Sequence, residues 1–343
     1  MPILPTLDFH KLIVYFAAAL WLGGCSSAAV DNASAADGVD LPEESNNELV
    51  QGRGYGKDKW WDALPRQSWS AFNKIEQSQP WFEVYEVRED VLAIYEDGQF
   101  EEVISYLILG AKRALLFDTG IGVGDMARLV AELTTLPVTV LNSHTHYDHV
   151  GGNHEFADIA AVDTPYTREH ANGRDNSEVR EFIGPGWVWK KLPAGVNKTT
   201  YKSAAFEIKR YVDEGELFDL GGRELRLIRV PGHTPDALVL FDAQNRLMFM
   251  GDTFYPATLY AHMGDANFSD YAASAAKLAG YAELVDYLLP AHNEPLVAGS
   301  FLSAMHKAFQ AVQKPGAEYH LSDGDREYLF DGFSIMVSEP PPW

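Results

Sequence analysis

The chain has 343 residues, 46% hydrophobic and 22% charged, with 28 Gly and 18 Pro, a globular composition that excludes a collagen-like rod, a bundle of membrane helices and a wholly disordered chain. Its 27 Lys and Arg against 49 Asp and Glu leave a formal charge of −22; a surface that negative repels phosphate backbones and argues against DNA or RNA as partners. A single cysteine permits no internal disulfide, no Cys-rich zinc finger and no iron–sulfur cluster, so any metal must be held by His, Asp or Glu.

The apolar run LIVYFAAALWL over residues 12–22 is too short for a comfortable membrane span and has the length of a signal-peptide core. Leu22-Gly23-Gly24-Cys25, which follows it, resembles the lipobox of bacterial lipoproteins. That resemblance implies a signal peptide at 1–24 and lipid on Cys25, which would hold the protein to a membrane. Ser26 and Ser27, where Asp is absent, imply export to the periplasmic face of the outer membrane. An uncleaved anchor or an inert buried cysteine is the other reading. From Ser26 to Asp58 the chain holds seven acidic residues against two basic ones and too little apolar surface to offset its ordering entropy. A flexible acidic tether over 25–75 is therefore expected, followed by a single domain over 76–343. The stretch to Asp58 carries −5, leaving −17 on residues 59–343, so the folded part is acidic in its own right.

From Trp81 onward, FEVYEV, VLAIYE, EVISYLIL and RALLFD read as successive strands separated by turn residues. GVGDMARLVAELTTL places apolar residues at helical spacing and PVTVLNS reads as a buried strand, a βαβ-like step. Residues 164–191 read as helical or loop-rich. A second β-rich series, ELRLIRV, ALVLFD and RLMFM, is followed by a helix over 271–279, a strand at VDYLLP, a helix near 301–313 and a polar tail ending in three prolines. Two meander-then-βα halves predict an α/β fold in which two packed sheets carry helices outside, a four-layer αββα sandwich.

Asn142 to Asn153 reads NSHTHYDHVGGN, which places His144, His146, Asp148 and His149 directly after the strand PVTVL. His144 and His146 alternate along an extended segment and so share a side, while Asp148 and His149 come from the turn beyond, so one loop could serve two adjacent metals. His233 in VPGHTPD, Asp252 in GDTFYP and His292 in LPAHNEP lie at intervals of 89, 19 and 40 residues, each after a predicted strand. Singly, each is more often a turn cap or a satisfied surface histidine. Together they form a set at strand ends, where α/β folds place their sites.

These motifs resemble those of the metallo-β-lactamase superfamily over residues 81–309. The resemblance implies a two-metal hydrolase, with His144, His146 and His233 on the first metal, Asp148, His149 and His292 on the second, and Asp252 bridging. Asp118, in LLFDTG, would orient a ligand from behind; an Asx-turn at the strand end is the alternative. Five imidazoles and two carboxylates with no thiolate suit two Zn²⁺ ions rather than Mg²⁺ or Ca²⁺, with Fe or Mn as alternatives. Diiron reductases of the family carry Glu at the position of His146, and no flavodoxin-like segment follows, which argues against oxygen or nitric-oxide reduction.

The implied chemistry is attack on a small-molecule carbonyl by a hydroxide shared between the metals, with Asp148 also carrying a proton to the leaving group. No GxSxG nucleophile elbow occurs in the chain. Asp at 252 resembles the hydrolases of esters, lactones, thioesters and phosphodiesters rather than zinc β-lactamases. After Gly316 the chain carries Arg326 as its sole arginine or lysine, against a glyoxalase-II-like thioester site, so the reading settles on a lactonase or esterase. Thioesterase, phosphodiesterase and β-lactam hydrolysis remain alternatives, and a zinc-binding module without turnover is the non-enzyme one. Trp187, Trp189, Tyr255, Tyr260 and His262 are candidate walls of the substrate pocket or plain packing residues, and Tyr147 is expected to pack inward.

Overall fold

The structure is a computed structural model and describes residues 60–342. The expected signal peptide, Cys25 and the acidic stretch as far as residue 59 lie outside the described residues. Among the described residues no helix is long and apolar enough to cross a membrane.

Eight strands form the first sheet in chain order: β1 (Asn73–Ile75), β2 (Glu83–Arg88), β3 (Val91–Tyr95), β4 (Ile104–Leu109), β5 (Ala114–Phe117), β6 (Val138–Leu141), β7 (Ile159–Val162) and β8 (Arg210–Val212). Strands β1 to β5 are an antiparallel meander and β5 to β8 run parallel. Helix α1 (Met126–Leu133) makes the β5-to-β6 crossover, its first turn capped by the Asp125 side chain, which accepts from the Arg128 N–H. Downstream come α2 (Tyr147–Val150), α3 (Pro165–His170) and α4 (Asn176–Val179). A second sheet has the order β15-β14-β12-β11-β10-β9. Its strands are β9 (Leu217–Asp219), β10 (Glu224–Arg229), β11 (Leu238–Asp242), β12 (Leu247–Gly251), β14 (Tyr287–Pro290) and β15 (Val297–Ala298). Strands β3, β11 and β12 are buried at every position, which is why their sequences are continuous apolar runs rather than alternations.

The two sheets pack face to face, and their shared core includes Tyr95, Tyr106 and Phe117 from one and Leu227, Leu240, Phe249 and Leu289 from the other. Phe249 meets Tyr106 and Phe117 edge-on, at 5.5 and 6.2 Å between centroids. Outside the first sheet, Met126, Leu129 and Val130 of α1 cover Ile94, Leu107 and Leu116. Outside the second, α5 (Phe268–Ala279) and α6 (Phe301–Val312) pack Tyr271, Leu278, Met305 and Phe309 onto Val239, Met248 and Leu288. The four-layer αββα sandwich expected from the sequence is the observed architecture.

Two expectations are corrected. The domain does not begin at 76: 3₁₀ turns at Trp60–Ala63 and Gln67–Ala71 precede β1, and Trp69 is wholly buried, stacked on Tyr95 at 4.2 Å. Composition averaged over 25–75 hid the apolar anchors at its end. Nor is the carboxyl end a polar tail. Strands β16 (His320–Ser322), β17 (Asp325–Phe330) and β18 (Phe333–Val337) join β13 (Thr258–Tyr260) in a third sheet. Its Tyr328, Phe333, Ile335 and Val337 enter the core beneath α6.

Buried carboxyls leave a pH signature. The Glu96 carboxylate accepts from Trp81 Nε1 at 2.5 Å and from the Ile121 N–H at 2.9 Å, yet burial outweighs these bonds and pushes it up to about 7, from 4.5 in the unfolded chain. The folded state then keeps a proton that the unfolded state has released, so stability is greatest below that range and falls as pH rises through 7. Glu96→Gln is expected to remove roughly 1.4 kcal/mol per pH unit of this slope. Urea midpoints of both proteins between pH 5 and 7.5 measure it; parallel curves would exclude Glu96 as the titrating group.

Candidate metal centre

Four loops converge at one edge of the two sheets, leaving the carboxyl ends of β6, β10, β12 and β14. The turn of α2 follows β6 and begins with His146 as its extended N-cap. Its sequence therefore splits as expected, with His144 and His146 on the extended approach and Asp148 and His149 on the helical turn. His144 Nε2 lies 2.9 Å from His146 Nδ1, and His233 Nε2 lies 3.1 Å from the same atom. Three imidazole nitrogens thus share one point.

Beside them stands a second group. His149 Nε2 is 3.2 Å from Asp148 Oδ2, and His292 Nε2 is 3.8 Å from that oxygen. Asp252 divides itself between the groups. Its Oδ1 lies 3.2 Å from His149 Nε2 and 3.0 Å from His292 Nε2, while its Oδ2 lies 3.5 Å from His233 Nε2. His149 Nε2 and Asp252 Oδ1 are buried and face each other at 3.2 Å without hydrogen-bond geometry, a costly arrangement that a cation between them would relieve. Nitrogen and carboxylate donors without thiolate suit Zn²⁺, and Fe or Mn less selectively. The residues present therefore fit a metal at each group.

The electrostatics agree. Burial and the surrounding imidazoles hold His144 well below its ordinary range, and burial above all brings His233 down to about 4, so both are neutral and offer lone pairs. Burial also depresses His292, but Asp252 and Asp148 outweigh it and raise this imidazole to about 9. Against its burial, Asp252 is held well below the usual carboxylate range by His292, His149 and His144. Protons occupy the carboxylate-rich half where a cation belongs.

Outer contacts fix most of the rings. Asp118 Oδ2 is 3.0 Å from His149 Nδ1 and accepts from Ser143 Oγ, while its Oδ1 accepts from the Ser143 N–H at 2.7 Å. Its partners lie 25 and 31 residues away, so Asp118 orients His149 and is no local Asx-turn. His292 Nδ1 donates to the Glu101 carbonyl at 2.6 Å, and Tyr106 Oη donates to the carbonyls of Pro290 and Pro295 on either side of His292. Asp236 accepts from Thr145, Thr167 and Thr234, tying the residue between His144 and His146 to the His233 loop. His146 Nε2 meets Asp265 Oδ2 at 2.9 Å. Sequence reasoning missed Asp236, although it lies inside the quoted VPGHTPD, and missed Asp265, for which MGDANF offers no signal.

Gly251 allows Asp252 to arrive. At φ +51, a Cβ there would stand 2.3 Å from Ser143 Cβ, so the end of β12 could not approach the residue preceding His144. Gly251→Ala is expected to cost about 1–3 kcal/mol and to lower bound metal, read by urea denaturation and elemental analysis of the same preparation.

The candidate pocket residues fall in four places. Tyr255 is buried with its ring 5.1 Å from that of His292. Trp187 meets Phe100 and Phe182 edge-on, and Phe182 stacks on Tyr147 at 4.1 Å, so an aromatic row leads to the residue before Asp148. Tyr147 packs inward as expected, its Oη donating to Glu101 Oε1. Trp189 stacks on Trp61 and donates from Nε1 to the Asp97 carbonyl. Tyr260 is in β13 of the third sheet, with His262 just beyond it, 3.7 Å from Asp325.

An αββα sandwich with paired His/Asp clusters at one sheet edge defines a class of metal-dependent hydrolases. Residues 100–292 match the family model described as the metallo-beta-lactamase superfamily, and the chain belongs to that superfamily, whose members generally bind metal ions; it is a hydrolase. It is 26% identical over 209 residues to the acyl-coenzyme A thioesterase MBLAC2 of Gallus gallus, covering 58% of this chain and 74% of that one. Over 118 residues it is 31% identical to a hydroxyacylglutathione hydrolase of Rhodospirillum rubrum, 34% of each. The stereoselective inverting sec-alkylsulfatase Pisa1 from Pseudomonas sp. shares the fold, with a TM-score of 0.51 at 18% identity. The match covers 67% of this chain and spans 42% of that one.

Proposed function

We propose that the protein is a two-metal hydrolase of acyl compounds, with an acyl thioester as its first substrate class and esters and lactones as the next. The observation that carries this reading is Asp252, whose two oxygens face the two histidine groups separately. His144, His146 and His233 would hold one metal, Asp148, His149 and His292 the other, and Asp252 both. When bound, the metals supply Lewis acidity toward the acyl oxygen and make water a stronger acid. Asp148 commits Oδ2 to the imidazoles, and its other oxygen is assigned the proton that passes to the leaving group. Asp118 and the Glu101 carbonyl hold His149 and His292 in register, and six of the seven residues are buried, His146 being half-buried. Thioesters rank ahead of the lactones and esters expected from sequence because one relative is named an acyl-coenzyme A thioesterase and the other a hydroxyacylglutathione hydrolase. The test is a panel of acyl-coenzyme A thioesters, aryl esters, lactones, phosphodiesters and a cephalosporin on protein of measured metal content. Highest kcat/KM on a thioester is the expected result; turnover of the phosphodiester alone overturns the reading.

A further inference from the structure

We propose that Asp265 is a positioning residue of the three-histidine group: it fixes the ring and tautomer of His146 so that Nδ1, and not Nε2, faces the metal. The inference rests on the reading of that group as a metal site. His144 and His233 present Nε2 to the common point, and His146 alone presents Nδ1. An unrestrained imidazole can turn about its Cβ–Cγ bond or carry its proton on either nitrogen. Asp265 removes both freedoms. Its carboxylate, 2.9 Å from His146 Nε2, can only accept, so the proton stays on Nε2 and the lone pair on Nδ1.

Asp265 is itself held from two directions. Tyr166 Oη, from α3, donates to the same Oδ2 at 2.5 Å. Its turn is pinned on the other side, where the Asn267 N–H donates to the Gly232 carbonyl at 2.7 Å, one residue before His233. The Asn267 side chain accepts from the Asp270 N–H and begins α5. One short turn therefore fixes His146 by a side chain and the His233 loop by the backbone. The other half of the centre depends on different groups, Asp118 behind His149 and the Glu101 carbonyl behind His292, so loss of Asp265 should be felt by one metal and not by both.

Zn²⁺ titration of full-length wild type, Asp265→Asn, Asp265→Glu and Tyr166→Phe against a chromophoric chelator tests this, with visible spectra of the Co²⁺ forms and melting of the metal-free proteins alongside. The expected result is two sites in wild type and, in Asp265→Asn, one site weakened about 10–100-fold with the other unchanged. Its Co²⁺ bands should shift while the metal-free melting temperature does not; Asp265→Glu should recover part of the affinity, and Tyr166→Phe should lose less than Asp265→Asn. Equal affinities and spectra in wild type and Asp265→Asn would overturn the assignment. So would equal weakening of both sites with a lower metal-free melting temperature, which marks a merely structural contact. Wild type that binds no metal overturns the metal reading itself, and is distinguished from the other failures by that.

Discussion

Asp252→Asn is expected to lower hydrolysis by about a thousandfold or more and to reduce bound metal from two per chain to one or fewer. The substitution keeps the shape of the side chain but removes its charge and turns one of its two oxygens into an N–H donor. One edge of the group would then fail, because Oδ1 faces His149 and His292 and Oδ2 faces His233. Lewis-acid stabilisation is worth several kcal/mol, and each 1.36 kcal/mol is about tenfold in rate, hence the size of the loss. Metal content by mass spectrometry and kcat/KM on an acyl thioester, read on one preparation, make the measurement. Full activity with two metals bound would mean that Asp252 is not shared, and the two-metal reading would fall. Trp189→Phe is the control: this ring stacks on Trp61, and its replacement should leave metal content unchanged.

The seven residues that converge were legible because each follows a strand that is itself legible. PVTVL, RLMFM and VDYLL are mostly apolar runs set by burial, ELRLIRV opens by alternating exposed and buried positions, and HTHYDH, GDTF, AHNE and GHTPD sit at their carboxyl ends. What sequence could not show is what stands behind the ligands. Asp265 reaches His146 across 119 positions, the Glu101 carbonyl meets His292 across 191, and Tyr106 reaches Pro290 across 184. A backbone carbonyl carries no residue signature at all, and a lone Asp between Gly and Ala looks like any turn. The third sheet was missed for a different reason. Its strands β17 and β18 are joined by the two residues Asp331 and Gly332 between Phe330 and Phe333, a strong hairpin signal, but the charged DGDRE before it and the prolines after it gave the segment the composition of a tail.

Trp69→Ala is expected to cost about 3–5 kcal/mol, the range for emptying a buried aromatic site, because the segment before β1 is part of the core and part of the support of His292. Trp69 is fully buried, stacked on Tyr95 and tilted against Tyr85, and its Nε1 donates to the Asn293 carbonyl at 3.2 Å. Ser68 Oγ donates to the buried Glu294 carboxylate, and the Arg66 guanidinium donates to Glu102, which also accepts from Tyr95 and Asn293. Three successive anchors therefore grip residues 293 and 294, just beyond His292, and Glu102, just beyond the carbonyl that fixes the His292 ring. Trp69→Phe should keep most of the stacking and lose the Asn293 bond, about 1 kcal/mol. Starting the chain at residue 76 should be worse than Trp69→Ala, because it removes Arg66 and leaves Glu102 buried without its cation, a change of about 3–5 kcal/mol by itself. Urea denaturation of chains beginning at residues 60 and 76, each with and without added zinc, separates the effects. The longer chain should be the more stable, and zinc should stabilise it further; equal midpoints would show that residues 60–75 pack against the domain without supporting it.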